Sequence, residues 1–400
     1  MMVQALFIPA GHKRGGARLN RAALVLLTTA FFSLAGCSWL PSWMGGTPSR
    51  AVQPTPLTEL KPTLNARVAW RASVGASRTE VLQPAVVESA VYVAASDGAV
   101  VRLSPETGQV VWRSDIKAPI SAGVGSDGFT VAVATTRGGV VALGADGKEI
   151  WRSQIGGEMR SPPLVGRDLI IVRSTDYRVT ALDAASGKRR WTYQRANVPL
   201  TLRSPTELVY AGDLVIAGFP GGRLVALNSA NGAVRWDIAV SEPRGATEVE
   251  RLTDVVGAPL VIGAEVCAAS YQGRIACFAS ANGNLRWSSE ISAGSGPAVD
   301  DRRVYVVDSK SNVVAFNRAA GSTAWKQEQL LHRSLSAPLA LNRAVVTGDY
   351  AGAIHFLSPE DGALLARVLL AAEIVATPRA LGGGAVVQAR DGTVALIVIE

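Results

Sequence analysis

A chain of 400 residues with 48% hydrophobic and 18% charged residues can bury a large core, which argues against global disorder. The formal net charge is +8, but Lys13, Arg14, Arg18 and Arg21 stand without an acid in residues 1–36, leaving 8 − 4 = +4 for the rest. No basic stripe remains, so no nucleic-acid partner is expected.

The chain opens on basic residues followed by the apolar run AALVLLTTAFFSLAG, too short for a comfortable membrane span. The run ends in Leu34-Ala35-Gly36-Cys37, which resembles a bacterial lipobox. Residues 1–36 are therefore expected to be a removed signal peptide and Cys37 the acylated residue. Ser38 follows, rather than the Asp that resembles an inner-membrane retention signal. The expected location is the periplasmic face of the outer membrane of a Gram-negative cell. Each buried acyl CH₂ contributes about 0.8 kcal/mol, so several chains on one cysteine anchor firmly. Residues 38–64, rich in Pro, Ser, Thr and Gly, read as a flexible tether with a reach of roughly 30 Å. Trp39 and Trp43 suit either a lipid interface or an exposed linker.

Beyond the tether one pattern recurs: a turn, an alternating strand, an x-Gly turn and a strand bearing Trp. It is seen in SDGAVVRLSPETGQVVW, TRGGVVALGADGKEIW and PGGRLVALNSANGAVRW, among six copies. The pairs are Gly108/Trp112, Gly147/Trp151, Gly187/Trp191, Gly232/Trp236, Gly283/Trp287 and Gly321/Trp325. A seventh copy has Gly362 but Ala366 in the tryptophan place. Intervals between successive Trp are 39, 40, 45, 51 and 38 residues, the size of one four-stranded β-propeller blade. Gly accepts the positive φ of the tight turn, and Trp supplies an apolar plate between blades.

The C-terminal stretch after Glu373 supplies three strands and stops, whereas NARVAW at 65–70 reads as an outer strand without a blade. The N-terminal strand is predicted to complete the last blade, which removes an open seam. The prediction is an all-β, eight-bladed propeller of four-stranded antiparallel blades, one domain over residues 65–400.

The Ala-Leu-Asp-x-x-x-Gly-x-x-x-Trp repeat resembles the pyrroloquinoline-quinone dehydrogenase-like propellers. Lipobox, tether and eight repeats together resemble the scaffold lipoproteins of the outer-membrane β-barrel assembly machinery. Local matches are LTLRS (Leu200–Ser204), TEVERLTDV (Thr247–Val255) and LLHR (Leu330–Arg333). The resemblance implies a non-enzymatic scaffold with no cofactor. It would dock on the POTRA domains of the barrel subunit BamA, join other subunits of the machinery and assist unfolded outer-membrane proteins. It carries partner contacts onto Leu200, Leu202 and Arg203 and onto Asp254, with Val256 where a further Asp is common. Blade topology independently places these connections on one rim, where apolar anchors beside a charge suit a protein contact. Leucines tucked back onto the blade are the alternative.

A quinoprotein-like dehydrogenase on the same fold is the rival reading. Dehydrogenases of this resemblance carry adjacent cysteines and a calcium site, but the cysteines here are 37, 267 and 277. After Cys37 only His332 and His355 occur, and no Cys/His cluster has ligand spacing, so no metal is expected. His332 reads as a loop residue and His355 as a strand residue. GVGSDG (Gly123–Gly128) matches GxGxxG but precedes a strand, not a phosphate-holding helix. Cys267 and Cys277 are placed across a hairpin, where a disulfide and two buried thiols are both open readings. A sugar or cell-wall ligand in the funnel is the remaining alternative. Inner stretches such as SPPLV and SAPLAL offer it no aromatic platform.

Overall fold

Eight four-stranded antiparallel sheets follow one another along the chain, each ordered from the innermost to the outermost strand. The computed structural model describes residues 52–400, apart from Glu88, residues 197–199 and Arg203. Cys37, Trp39 and Trp43 lie outside the described residues. The blades span 85–115, 125–154, 164–194, 208–239, 255–291, 298–327 and 339–369, numbered 1 to 7 in that order. Blade 8 takes Arg379–Leu381, Gly384–Gln388 and Thr393–Ile399 from the C-terminus and Ala66–Ser73 from the N-terminus.

That eighth blade joins the termini as predicted. Ala66 pairs with Ile399, Trp70 with Leu396 and Ser73 with Thr393. The backbone amide of Glu400 donates to the carbonyl of Asn65 at 2.9 Å, so the seam is zipped to its last residue. The Arg67–Glu400 ion pair beside it is exposed on both sides and adds little.

Short apolar runs form the blade centres because both faces of each sheet are covered by neighbouring blades. Ala90–Ala94 and Ala344–Gly348 are buried throughout. The sequence therefore shows continuous apolar residues there instead of alternation.

The Trp and Gly of the repeat meet across blades, not within one. Each indole N–H donates to a carbonyl in the next blade's outer turn. Trp112 reaches Ala145 at 2.9 Å, Trp191 Ser229 at 2.8 Å and Trp325 Pro359 at 2.8 Å. The next blade's glycine lies against the ring. A Cβ at Gly147 would sit 2.6 Å from Trp112 and one at Gly362 2.6 Å from Trp325. Trp70 joins this series on Gly108, across the junction from blade 8 to blade 1.

Ala366 now has a reason. Blade 8 has no outer turn to receive an indole, because its third and fourth strands are the two chain ends. Leu64 takes up the space and is buried in one cluster with Ala366, Phe356 and Ile397.

The tether departs from expectation over residues 53–64. Thr55 N–H donates to Leu331 O at 3.0 Å, Arg333 to Thr55 O at 2.9 Å and Arg367 to Thr58 O at 2.9 Å. Thr63 N–H donates to Leu365 O at 2.9 Å. Composition suggested free coil, but this segment is strapped along blade 7 by backbone groups that composition does not reveal.

Candidate partner-binding rim

In a four-stranded meander the inter-blade connection and the turn between the second and third strands share one face. Contacts mark that face directly: Tyr271 N–H donates to Asp254 O, and Tyr350 N–H to Arg333 O. The segments around Leu200, Asp254 and Leu330 therefore stand on a common rim.

Leu200 and Leu202 are 41% and 37% exposed, among the large apolar side chains left facing solvent. Their loop is held from below. Asp254 Oδ2 accepts the Leu202 N–H at 2.8 Å and Oδ1 accepts the Gly221 N–H at 3.2 Å. Tyr177 donates to Thr201 Oγ1 at 2.8 Å. The next connection is shaped by Glu250, whose carboxylate accepts the amides of Ala246 and Thr247 and leaves Val249 exposed.

Asp254 was expected as a direct partner contact, but its carboxylate faces inward. The residue is 5% exposed, and burial raises its pKa, partly offset by the two amides and by Arg173. With both oxygens engaged, Asp254 positions the leucine loop. Val256 is buried in blade 5. Arg203 lies outside the described residues.

The third rim segment also turns inward. Leu330 and Arg333 are buried, with Arg333 Nε 2.6 Å from Asp349 Oδ2. His355 Nε2 lies 3.0 Å from the same carboxylate oxygen, and Tyr350 stacks its ring over the guanidinium at 5.0 Å. This Arg333–Asp349–His355 cluster is the part of the polar architecture that the sequence reading missed; an Asp six residues before a buried strand His is the signal it offered. His332 is a loop residue at φ +60°, its amide donating to Lys310 O at 2.8 Å.

Cys267 and Cys277 pair directly in blade 5, and the sulfurs are joined as a disulfide with Cα atoms 4.0 Å apart. Both residues are buried. Among the described residues no group of three or more His, Cys, Asp or Glu is placed to hold a metal.

The ring axis holds a chamber of about 640 Å³, bordered by the inner segments of blade 1 and blades 4 to 8. Its wall includes Pro205, Pro297, Leu335 and Val375 and, among the described residues, no aromatic side chain. A polar chain crosses the axis: Arg379 of blade 8 donates to Glu207 at the head of blade 4, at 2.8 Å, and to Gln83 before blade 1. Blades 4 and 8 stand opposite each other in an eightfold ring, so the pair spans it. Pro84, Pro163, Pro297, Pro338 and Pro378 each precede an innermost strand, where a missing N–H blunts an edge facing the channel.

Closed ring, docked tryptophans and loop-built rim together define an eight-bladed β-propeller. The chain belongs to the BamB family: residues 96–327 match the family described as outer membrane protein assembly factor BamB. It is 44% identical over 375 residues to the outer membrane protein assembly factor BamB of Burkholderia pseudomallei, covering 93% of this chain and 97% of that one. The BamB of Escherichia coli K12 is 30% identical over 376 residues, covering 90% and 95%. Among solved structures, BamB from Moraxella catarrhalis superposes with a TM-score of 0.75 at 26% identity, covering 82% of this chain and 99% of that one. The quinohemoprotein alcohol dehydrogenase of Comamonas testosteroni reaches a TM-score of 0.64 at 14% identity, covering 83% and 76%, and shares the fold alone.

Proposed function

We propose that the protein is a non-enzymatic scaffold in outer-membrane protein assembly. It is held at the periplasmic face of the outer membrane by lipid on Cys37 and docks through the Leu200–Arg203 loop. Its partner is the POTRA region of BamA, and through that contact it joins the assembly machinery and assists unfolded outer-membrane proteins. The observation carrying this reading is the pair of exposed leucines on a loop pinned by Asp254. Apolar anchors on a pre-set loop lose little conformational freedom on binding. Family membership supports the assembly role, and the fold alone supports the dehydrogenase alternative.

Calorimetric titration of the soluble chain, residues 38–400, with POTRA modules of the same organism tests it. Saturable binding is expected, and Leu202→Ala with Arg203→Glu abolishes it at an unchanged melting temperature. Absence of binding from folded protein overturns the reading. Globomycin arrests maturation at Cys37; a precursor of unchanged mobility refutes the anchor.

A further inference from the structure

Arg173 ends the second strand of blade 3, Leu169–Arg173, directly beneath the leucine loop. Its guanidinium carbon lies 5.2 Å from the centre of the Phe219 ring and 5.8 Å from that of Tyr177. Its Nε is buried without a hydrogen-bond acceptor among the described residues. Among the described residues no carboxylate stands within ion-pairing distance, whereas the neighbouring Arg160 is paired with Glu158 at 3.2 Å. The acid that acts on Arg173 through its field is Asp254, whose oxygens are already taken by the amides of Leu202 and Gly221.

The residue is half-buried as a whole while its Nε is fully enclosed, and burial lowers the guanidinium's pKa to about 10. Two clefts of about 20 and 30 Å³ open onto Arg173, Tyr177 and Ser204, with Thr201 and Asp254 on one side and Arg160 on the other. Each has room for about one water molecule, or for an oxygen presented from outside. A planar fork whose Nε lacks an acceptor among the described residues, flanked by aromatic faces and hydroxyls, matches a carboxylate better than any neutral acceptor.

We propose that Arg173 is the acceptor site for an acidic side chain, Asp or Glu, of the protein that docks on Leu200 and Leu202. The leucines supply apolar anchorage, and the partner's carboxylate, entering beside the loop, supplies the counter-charge and fixes register. This rests on the partner-binding reading of the rim and adds the partner's chemistry to it.

The test uses the detergent-solubilised lipoprotein and the POTRA region of BamA from the same organism. Arg173→Met keeps the stem and removes the charge. Affinity is expected to fall at least tenfold, with an unchanged or raised melting temperature and a flatter dependence of affinity on salt. Arg173→Lys, a milder change should Met impair folding, is expected to lose three- to tenfold because it cannot bind in bidentate fashion. Either variant binding within twofold of the parent, while Leu202→Ala still binds weakly, overturns the Arg173 proposal and leaves the rim reading standing. No binding by the parent protein overturns both. Acetate or sulfate raising the melting temperature of the parent and not of Arg173→Met, with POTRA affinity unchanged, would identify a small-anion site and overturn the partner assignment.

Discussion

The indole N–H of Trp70 donates to the carbonyl of Pro105 at 2.8 Å, and a Cβ on Gly108 would sit 2.5 Å from the same ring. One residue from the N-terminal strand thereby fastens blade 8 to blade 1, repeating at the chain's seam the contact made between neighbouring blades elsewhere.

Gly108 has φ +69°, so Gly108→Ala meets both an unfavourable backbone and the indole. A loss of about 2 kcal/mol or more is expected from strain and overpacking. Trp70→Phe keeps most of the apolar plate but orphans the Pro105 carbonyl and should cost about 1–3 kcal/mol. Urea unfolding of the two variants checks both figures; Gly108→Ala at parental stability refutes the docking argument.

The Cys267–Cys277 bridge closes a short loop, and on the chain-entropy account its removal costs about 2–3 kcal/mol. A thiol count on denatured, unreduced protein lacking Cys37 should give none. Because both sulfurs are buried, reductant should act on the native protein only as fast as blade 5 opens.

Acid should loosen blade 7. Burial holds His355 below its ordinary pKa of 6.5, with Asp349 offsetting part of the effect. For Asp349, burial raises the pKa, but His355, the Ala353 amide and Arg333 together bring it below the ordinary value. In both cases the unfolded chain takes up its proton first, so stability falls with pH. The His355 contribution is full above about pH 6.5 and is lost below it; the Asp349 contribution is lost below the usual carboxylate range, near pH 4. Urea midpoints between pH 7 and pH 5 should slope downward for the parent and more shallowly for His355→Asn.

The ion pair across the axis should be measurable as coupling between distant blades. Glu207 and Arg379 are 172 positions apart in sequence and 2.8 Å apart in space. Glu207→Gln, Arg379→Gln and the double variant should give a coupling energy of about 1 kcal/mol. Additive losses would mean that the pair does not tie blade 4 to blade 8.

The tryptophan spacing and NARVAW sufficed to read eight blades and their closure, because blade size and strand order are local properties. The substitution at Ala366 was visible as a gap in the pattern, yet its reason lay in a junction that exists only once the ring is closed. Asp254 in a polar loop reads as exposed until the Leu202 and Gly221 amides are brought beneath it. The strap was hidden by composition: Thr55 and Leu331 meet through backbone atoms, which leave no side-chain pattern. Arg333 and His355 were legible singly and Asp349 was not, and only the fold of blade 7 brings the first two onto one carboxylate oxygen of the third.

The strap gives the ring a strain relief. A pull arriving from the N-terminal side of Thr55 is met first by the Leu331 carbonyl and by Arg333, itself braced on Asp349. Load then spreads into the rim of blade 7 and, through Arg367, along its outer strand. The seam at Ala66–Ser73 bears tension only after those contacts have peeled away. A propeller fastened by its own closing strand would otherwise be open to unzipping from that strand's N-terminal side.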